Sequence, residues 1–495
     1  MHVQLSANEP RSVRPGLIAV AAGARATELG APERASADAD PVATVYTDGP
    51  PLAVIAVGPG VEGLRTAAAR AVRAWRPGSA GSGSDSTGSG SDSTSSGSDS
   101  TGSDSDSTVA WALDRSSPVP VSEQVRALAE GAVLGGYDGR RWRGAGASRQ
   151  GVRRFVICGA ESDELAAASA RGALVARWCN TARELVDAPA NLMSAAELAR
   201  RAGQIPRLEL ELVDPAQAGL GALAAVGASG AAAPLLLVLR HRPPTAPAAP
   251  RLALIGKGVT FDSGGYFLKP KAEIVRQKAD MAGGAAVIAA LGAITELQLP
   301  LSVSGFVPAC ENMLGAAAIR PTDVITTAAG LTVEVINPDA EGRLILADAL
   351  WYARQDGATH LVDLATLTGG VPDALGDLHA GVFGTDAAWR DAVVDAGNAA
   401  GDLAWPLPLH ERYEAWLEST VADLRNVAGK GLGFSVFAAA FLARFAGDGP
   451  WAHVDMLGPA LLAEDRGDAF GAGASGYGVR LLVELASRLS TGSAG

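Results

Sequence analysis

From residue 191 onward the chain alternates short apolar runs with longer Ala-rich runs of helical spacing, and few architectures satisfy that pattern. Leu235–Leu239, Leu252–Ile255, Leu301–Val307, Leu331–Ile336, His360–Leu364 and Ala452–Met456 read as strands. Runs this short and this apolar belong to strands covered on both faces. Met281–Leu297, Leu344–Arg354, Phe434–Phe445 and Val479–Leu489 read as helices. Strands alternating with helices predict an α/β fold with a largely buried sheet.

The N-terminal part follows the same alternation less regularly. Leu17–Ala22, Pro51–Val57 and Arg154–Cys158 are strand-like, and Leu64–Trp75 is an Ala/Arg helix. Ser162–Val186 predicts a long Ala-rich connector ending before Pro189. The expected division is therefore an N-terminal domain over 1–161, a connecting helix within 162–190 and a second domain over 191–495. Residues 77–108 repeat Gly-Ser-Asp-Ser-Thr, with Ala80 as the lone apolar residue inside the repeats. Such a segment cannot bury surface to offset the entropy of ordering, so it reads as a disordered insertion. Gly58-Pro59-Gly60-Val61-Glu62-Gly63 has the outline of a dinucleotide loop. Pro59 lacks a needed N–H, and the acid expected about 20 residues on falls in the serine-rich tract, so a plain turn is the better reading.

Charge and cysteine content narrow the function. A net charge of -12 without a Lys/Arg-rich run argues against a nucleic-acid partner. No apolar run is expected to span a membrane, and Met1–Gly16 lacks the basic-then-apolar order of a signal peptide. Cys158, Cys179 and Cys310 form no close pair, which suits a reducing cytoplasm. No G-x-S-x-G elbow of a serine hydrolase is present.

Two stretches carry the chemistry. In the first, Leu331–Ile336 leads into Asn337-Pro338-Asp339-Ala340-Glu341-Gly342-Arg343-Leu344. Pro338 should stop the strand, Asp339 and Glu341 would share one face of an extended segment, and Gly342 would permit a sharp turn. Two acids and a guanidinium would then stand at the carboxyl end of a strand, where open α/β sheets bind ligands. In the second, Leu252–Ile255 is followed by Gly256-Lys257-Gly258-Val259-Thr260-Phe261-Asp262-Ser263-Gly264-Gly265, with Lys257 and Asp262 leaving the strand end together. Two glycines then let the chain fold back to Lys269, and Asp280 stands at the start of the next helix. Asp262, Asp280, Asp339 and Glu341 in one cleft need compensating cations. Two divalent metals roughly 3.5–4 Å apart would supply the charge. Ion pairing with Lys257, Lys269 and Arg343 is the other reading.

The run from Ile255 to Tyr352 resembles the leucyl aminopeptidase family of two-metal cytosolic aminopeptidases. Gly256–Gly265 and Asp339–Leu344 resemble its two hallmarks. Lys278–Met281, Cys310–Met313, Asp363–Gly369 and Trp451–His453 fit in order, and the similarity covers about residues 165 to 490. The resemblance implies a small N-terminal α/β domain followed by a larger α/β/α catalytic domain with a central mixed sheet, assembled as a hexamer. It implies one metal held by Lys257, Asp262, Asp280 and Glu341, and a second by Asp262, Asp339 and Glu341. The metals would be zinc, manganese or magnesium, binding the substrate amine and scissile carbonyl and activating a bridging water. Lys269 would stabilise the oxyanion, and Arg343 would hold a bicarbonate as general base.

The same resemblance places Gln277, Thr366, Gly369, Leu457 and Ala460 in the pocket for the N-terminal side chain. Gln277 and Ala460 stand where Met occurs in the family, and Leu457 where a small residue is common. Pro338 replaces a usual Thr, Tyr266-Phe267 is bulkier than the usual pair, and Leu314–Ala317 replaces a Pro-Gly-Gly-like turn. A polar, resized pocket argues against a strict preference for leucine. The competing reading is a non-catalytic assembly or regulatory protein on the same fold.

Overall fold

The structure is a computed structural model. It describes residues 1–9, 17–21, 42–45, 52–55, 57, 59–75, 107–139, 142, 151–428 and 431–492. The serine-rich tract expected at 77–108 lies outside these residues except at its end. There the expectation is corrected, because Thr108 is fully buried as the first residue of a strand.

The described residues divide into two units, 1–177 with 465–471, and 178–464 with 472–495. In the first unit β1 (His2–Ser6), β2 (Leu17–Ala21), β3 (Val42–Val45), β4 (Leu52–Ile55), β5 (Thr108–Ala112) and β6 (Arg154–Cys158) form one sheet, in the order β1-β6-β5-β2-β4-β3. All its pairings are parallel except β3 with β4. Helices α1 (Gly60–Ala74) and α2 (Val121–Gly135) pack on it through small residues. Residues 465–471 belong to this unit, held by Arg70 and Arg73 through the carbonyls of Gly467, Asp468 and Ala469. Helix α3 (Asp163–Asp187) runs from the first unit into the second.

The second unit is built on a nine-stranded mixed sheet. Its strands are β7 (Glu209–Val213), β8 (Leu235–His241), β9 (Arg251–Gly256), β10 (Gly258–Asp262), β11 (Ser302–Asn312), β14 (His360–Ala365), β15 (Ala380–Gly384), β16 (Ala404–Pro406) and β18 (Trp451–Asp455). Their order is β16-β15-β18-β14-β9-β11-β8-β7, with β10 also on β11. The central strands are buried, whereas the edge strand β7 alternates Glu209 and Glu211 toward solvent, which discourages further pairing. A three-stranded side sheet joins β12 (Val324–Thr326), β13 (Thr332–Glu334) and β17 (Leu424–Arg425).

Helices α4 (Ala282–Glu296) and α5 (Gly342–Gln355) contact the central strands. Gly283 lets α4 come close, since a methyl there would lie 2.1 Å from the Leu364 carbonyl oxygen. The expectation that no run has membrane-spanning length is corrected. The helical stretch Gln277–Glu296 has the length and apolarity, but it is 94% buried inside the fold, as a core helix is.

Two local expectations also fail. Lys257 and Asp262 do not leave one strand end together, because β10 separates them. The strand before Asp339 is β13 of the side sheet, not a strand of the main sheet. A strand of the main sheet and one of a small side sheet read alike in a short apolar run.

Candidate metal centre

One long strand sets the spacing of the first two groups. The first half of β11 pairs in parallel with β9, and its second half with β10, where Asp262 lies opposite Asn312. Lys257 occupies the bend between β9 and β10. Its N–H donates to the Leu364 carbonyl at 3.0 Å, and its carbonyl accepts from Gly284 at 2.7 Å, which ties the bend to β14 and to the start of α4. Asp280 lies two residues before α4 and is buried.

Gly264 and Gly265 have φ of 85° and 59°, the left-handed region that glycine tolerates. The chain folds back there as expected, and the Lys269 N–H donates to the Ser263 carbonyl at 3.0 Å. The metal loop differs from expectation. Asn337–Ala340 is a turn closed by the Ala340 N–H on the Asn337 carbonyl, and Glu341 is already helical in backbone (φ −76°, ψ −33°). Asp339 and Glu341 therefore do not share the face of an extended segment, and each meets a different lysine. Gly342 makes no sharp turn either, since it is the first residue of α5.

Ligand-type oxygens of Asp262, Asp280 and Glu341 lie within 4.8 Å of one another, and all three residues are buried. Lys257 Nζ lies 2.8 Å from both Asp280 Oδ2 and Glu341 Oε1 and donates to the Thr366 carbonyl at 3.0 Å. Lys269 Nζ lies 2.8 Å from Asp262 Oδ2 and also meets Asp339 Oδ1. Asp339 is the most open of the group, with 28% of its side chain exposed against 2% for Glu341.

Burial opposes the Lys257 ammonium, but Asp280, Glu341 and Asp262 more than offset it and hold its pKa above the usual lysine range. Lys269 is likewise held up against burial by Asp262, Glu341 and Asp339. Burial pushes Asp280 well above the carboxylate range despite Lys257. Burial and then the neighbouring carboxylates push Asp339 up to about 7. Burial brings Arg343 down to about 10, against Glu341 and Asp455.

The residues fit divalent cations. Asp280 Oδ2 and Glu341 Oε1 face Lys257 Nζ, and Asp339 Oδ1 faces Lys269, so the two ammonium groups stand where cations would otherwise meet these oxygens. Four carboxylates face two ammonium groups, which leaves an excess of two negative charges when all are ionised. Oxygen donors with one amine suit magnesium, manganese or zinc. Arg343 donates Nη1 to the Asn426 carbonyl at 2.9 Å and stands over the Phe437 ring, while its buried Nε has no partner.

A cleft of about 420 Å³ opens beside Asp280. Gln277, Thr366, Leu457 and Ala460 line it, together with Glu273, Arg276 and Asp377, while Gly369 is not on its wall. Gly369 instead caps the short helix Gly370–Leu375.

Three contributors escape a reading of the two stretches. The Asn312 amide donates to Asp262 Oδ1 at 2.8 Å and to the Pro338 carbonyl at 3.1 Å, so it joins them. The Thr366 hydroxyl donates to Asp280 Oδ1 at 2.8 Å, a second use for a residue expected in the pocket. Asn426 holds the metal loop from 86 to 90 positions away. Asn312 lay inside a recognised motif, but no local pattern marks Asn426.

Comparison with known proteins follows the site closely. The model of the cytosol aminopeptidase family, catalytic domain, matches residues 180–483. A probable cytosol aminopeptidase of Solibacter usitatus is 44% identical over 381 residues, 76% of this chain and 78% of its own length. One from Chlorobaculum tepidum is 40% identical over 393 residues, 76% of this chain and 77% of its own. Among solved structures, the bottromycin maturation enzyme BotP in complex with Mn superposes with a TM-score of 0.81 at 32% identity, covering 96% of this chain and 99% of that one. A tomato leucine aminopeptidase variant superposes with a TM-score of 0.83 at 28% identity, covering 98% and 97%.

Proposed function

The chain belongs to the cytosol aminopeptidase family and is a metallo-aminopeptidase, and we propose that it removes the N-terminal residue of peptides with two divalent cations at the cluster above. The observation that carries this reading is the convergence of buried Asp262, Asp280 and Glu341, whose ligand-type oxygens lie within 4.8 Å of one another. Lys257, Asp262, Asp280 and Glu341 would hold one cation, and Asp262, Asp339 and Glu341 the other. When bound, the cations would neutralise the carboxylates, polarise the scissile carbonyl and lower the pKa of water. Manganese is supported by the BotP complex, and zinc and magnesium suit the same donors.

The chain's own residues supply the rest. With Asp262 and Asp339 engaged, the Lys269 ammonium is free to turn to the scissile carbonyl oxygen and stabilise negative charge developing there. Arg343, with its unpartnered Nε, would seat a bicarbonate that accepts a proton from the attacking water. The cleft beside Asp280 would take the first side chain, with Gln277, Thr366, Leu457 and Ala460 selecting it. The division of labour would follow the domains, with residues 1–161 non-catalytic, the helix within 162–190 connecting, and 191–495 catalytic. A homohexamer in the cytoplasm completes the proposal, and sedimentation checks the assembly.

Hydrolysis of a panel of aminoacyl-p-nitroanilides tests the activity, after chelation and again after adding manganese or zinc. Cleavage restored by metal in the wild type and absent in Lys269→Ala and Glu341→Ala supports it. Absence of cleavage with metal bound refutes it.

A further inference from the structure

Asn426 directs every polar group it has at one segment. Its N–H donates to the Glu334 carbonyl at 3.1 Å. Its side-chain oxygen accepts from the N–H groups of Ile336 at 2.8 Å and Asn337 at 3.2 Å. Its amide donates to the carbonyls of Asn337 at 2.7 Å and Ala340 at 3.4 Å. Its own carbonyl takes Arg343 Nη1. The residue is fully buried, and so polar a side chain is stable there only with its partners satisfied. Asn426 reaches this place because β17 pairs in parallel with β13, with Leu424 opposite Val333 and Arg425 opposite Glu334.

We infer that Asn426 is a positioning residue that sets the turn carrying Asp339 and Glu341. The inference rests on the proposed metal centre. Turn and ligands are continuous backbone, so a shift at Asn337 or Ala340 displaces both carboxylates. The Asn337 side chain supports the same turn from inside, accepting from the Asp339 N–H at 2.8 Å. The Arg343 contact uses the backbone of residue 426 and survives truncation of the side chain.

The test is calorimetric titration of the chelated full-length protein with manganese alone, beside thermal melting. Three proteins are compared: wild type, Asn426→Ala and Asp386→Ala. Asp386 caps the helix Ala387–Ala400 by accepting from the Trp389 N–H, so its loss lowers stability away from the site. The expected result is manganese affinity about 10–100-fold weaker in Asn426→Ala, the range for groups that orient ligands, and unchanged in Asp386→Ala. If Asn426→Ala does not fold, Asn426→Ser carries the same comparison. Affinity within twofold of wild type at position 426, or an equal loss in Asp386→Ala, overturns the inference. A wild type that binds no manganese instead refutes the metal centre itself.

Discussion

Lys257 leaves no room for a side chain at position 342: a methyl group there would lie 2.7 Å from Lys257 Nζ and 2.7 Å from Cε. The helix after the metal loop begins with glycine because the lysine amine passes over its first residue. Gly342→Ala should therefore push the amine off Asp280 and Glu341. Separating that buried pair outweighs the roughly 1 kcal/mol of helix propensity that alanine adds in a helix interior, so both metal affinity and the melting temperature of the metal-free protein should fall. Calorimetry and melting of one preparation check both, and a variant with affinity intact would contradict it.

Lys269 contacts Asp262 and Asp339, whereas Lys257 contacts Asp280 and Glu341. If it meets the developing oxyanion, Lys269→Ala should lower kcat by about 10²–10³-fold with little change in KM. Steady-state kinetics at saturating metal provide the check. A rise in KM alone would make it a ground-state binding residue.

Metal loading should release protons. The carboxylates hold the Lys257 ammonium charged, and Asp339 titrates near 7, so both compete with a cation for the same positions. Raising the pH favours the amine and the carboxylate that bind metal. Affinity should rise with pH by about tenfold per pH unit for each proton displaced, most steeply below about 7, where Asp339 still carries its proton, and less steeply above. Titrations in buffers of different ionisation enthalpy count those protons, and a flat profile would rule out displacement of either group.

The cleft beside Asp280 carries Gln277 and Leu457 on its wall. Gln277→Met removes a polar group without much change in length. It should shift relative kcat/KM about tenfold toward Leu and Met N-termini over Gln, the low end of what one small pocket change can reach. Peptides differing only in the first residue measure this, and an unchanged ranking would place the first side chain elsewhere.

Much of this centre is legible in the sequence. Asp262, Asp280, Asp339, Glu341 and both lysines are expected together because they fall in the two stretches that resemble the leucyl aminopeptidase family; by position alone these acids would also suit helix caps and ion pairs. The strand β10 was missed because its glycine, threonine and aspartate resemble a loop, and only pairing with the long β11 makes it a strand. The segment Asn337–Ala340 reads as extended in sequence because Pro338 restricts the backbone before it but not the geometry after it. Asn426 was invisible, since its meaning arises from a parallel pairing across some 90 positions.

The shared strand β11 gives the chain a fixed ruler. Both β9 and β10 are measured against its rungs, and Thr260 is an extra residue on β10, bulged between the Val259–Cys310 and Phe261–Glu311 pairs. Losing that residue would restore an even ladder but turn the side chains on one side of it to the opposite face, Asp262 relative to Lys257 included. Length can drift in the connections around this centre, but between Gly256 and Asp262 the bulge is part of the spacing.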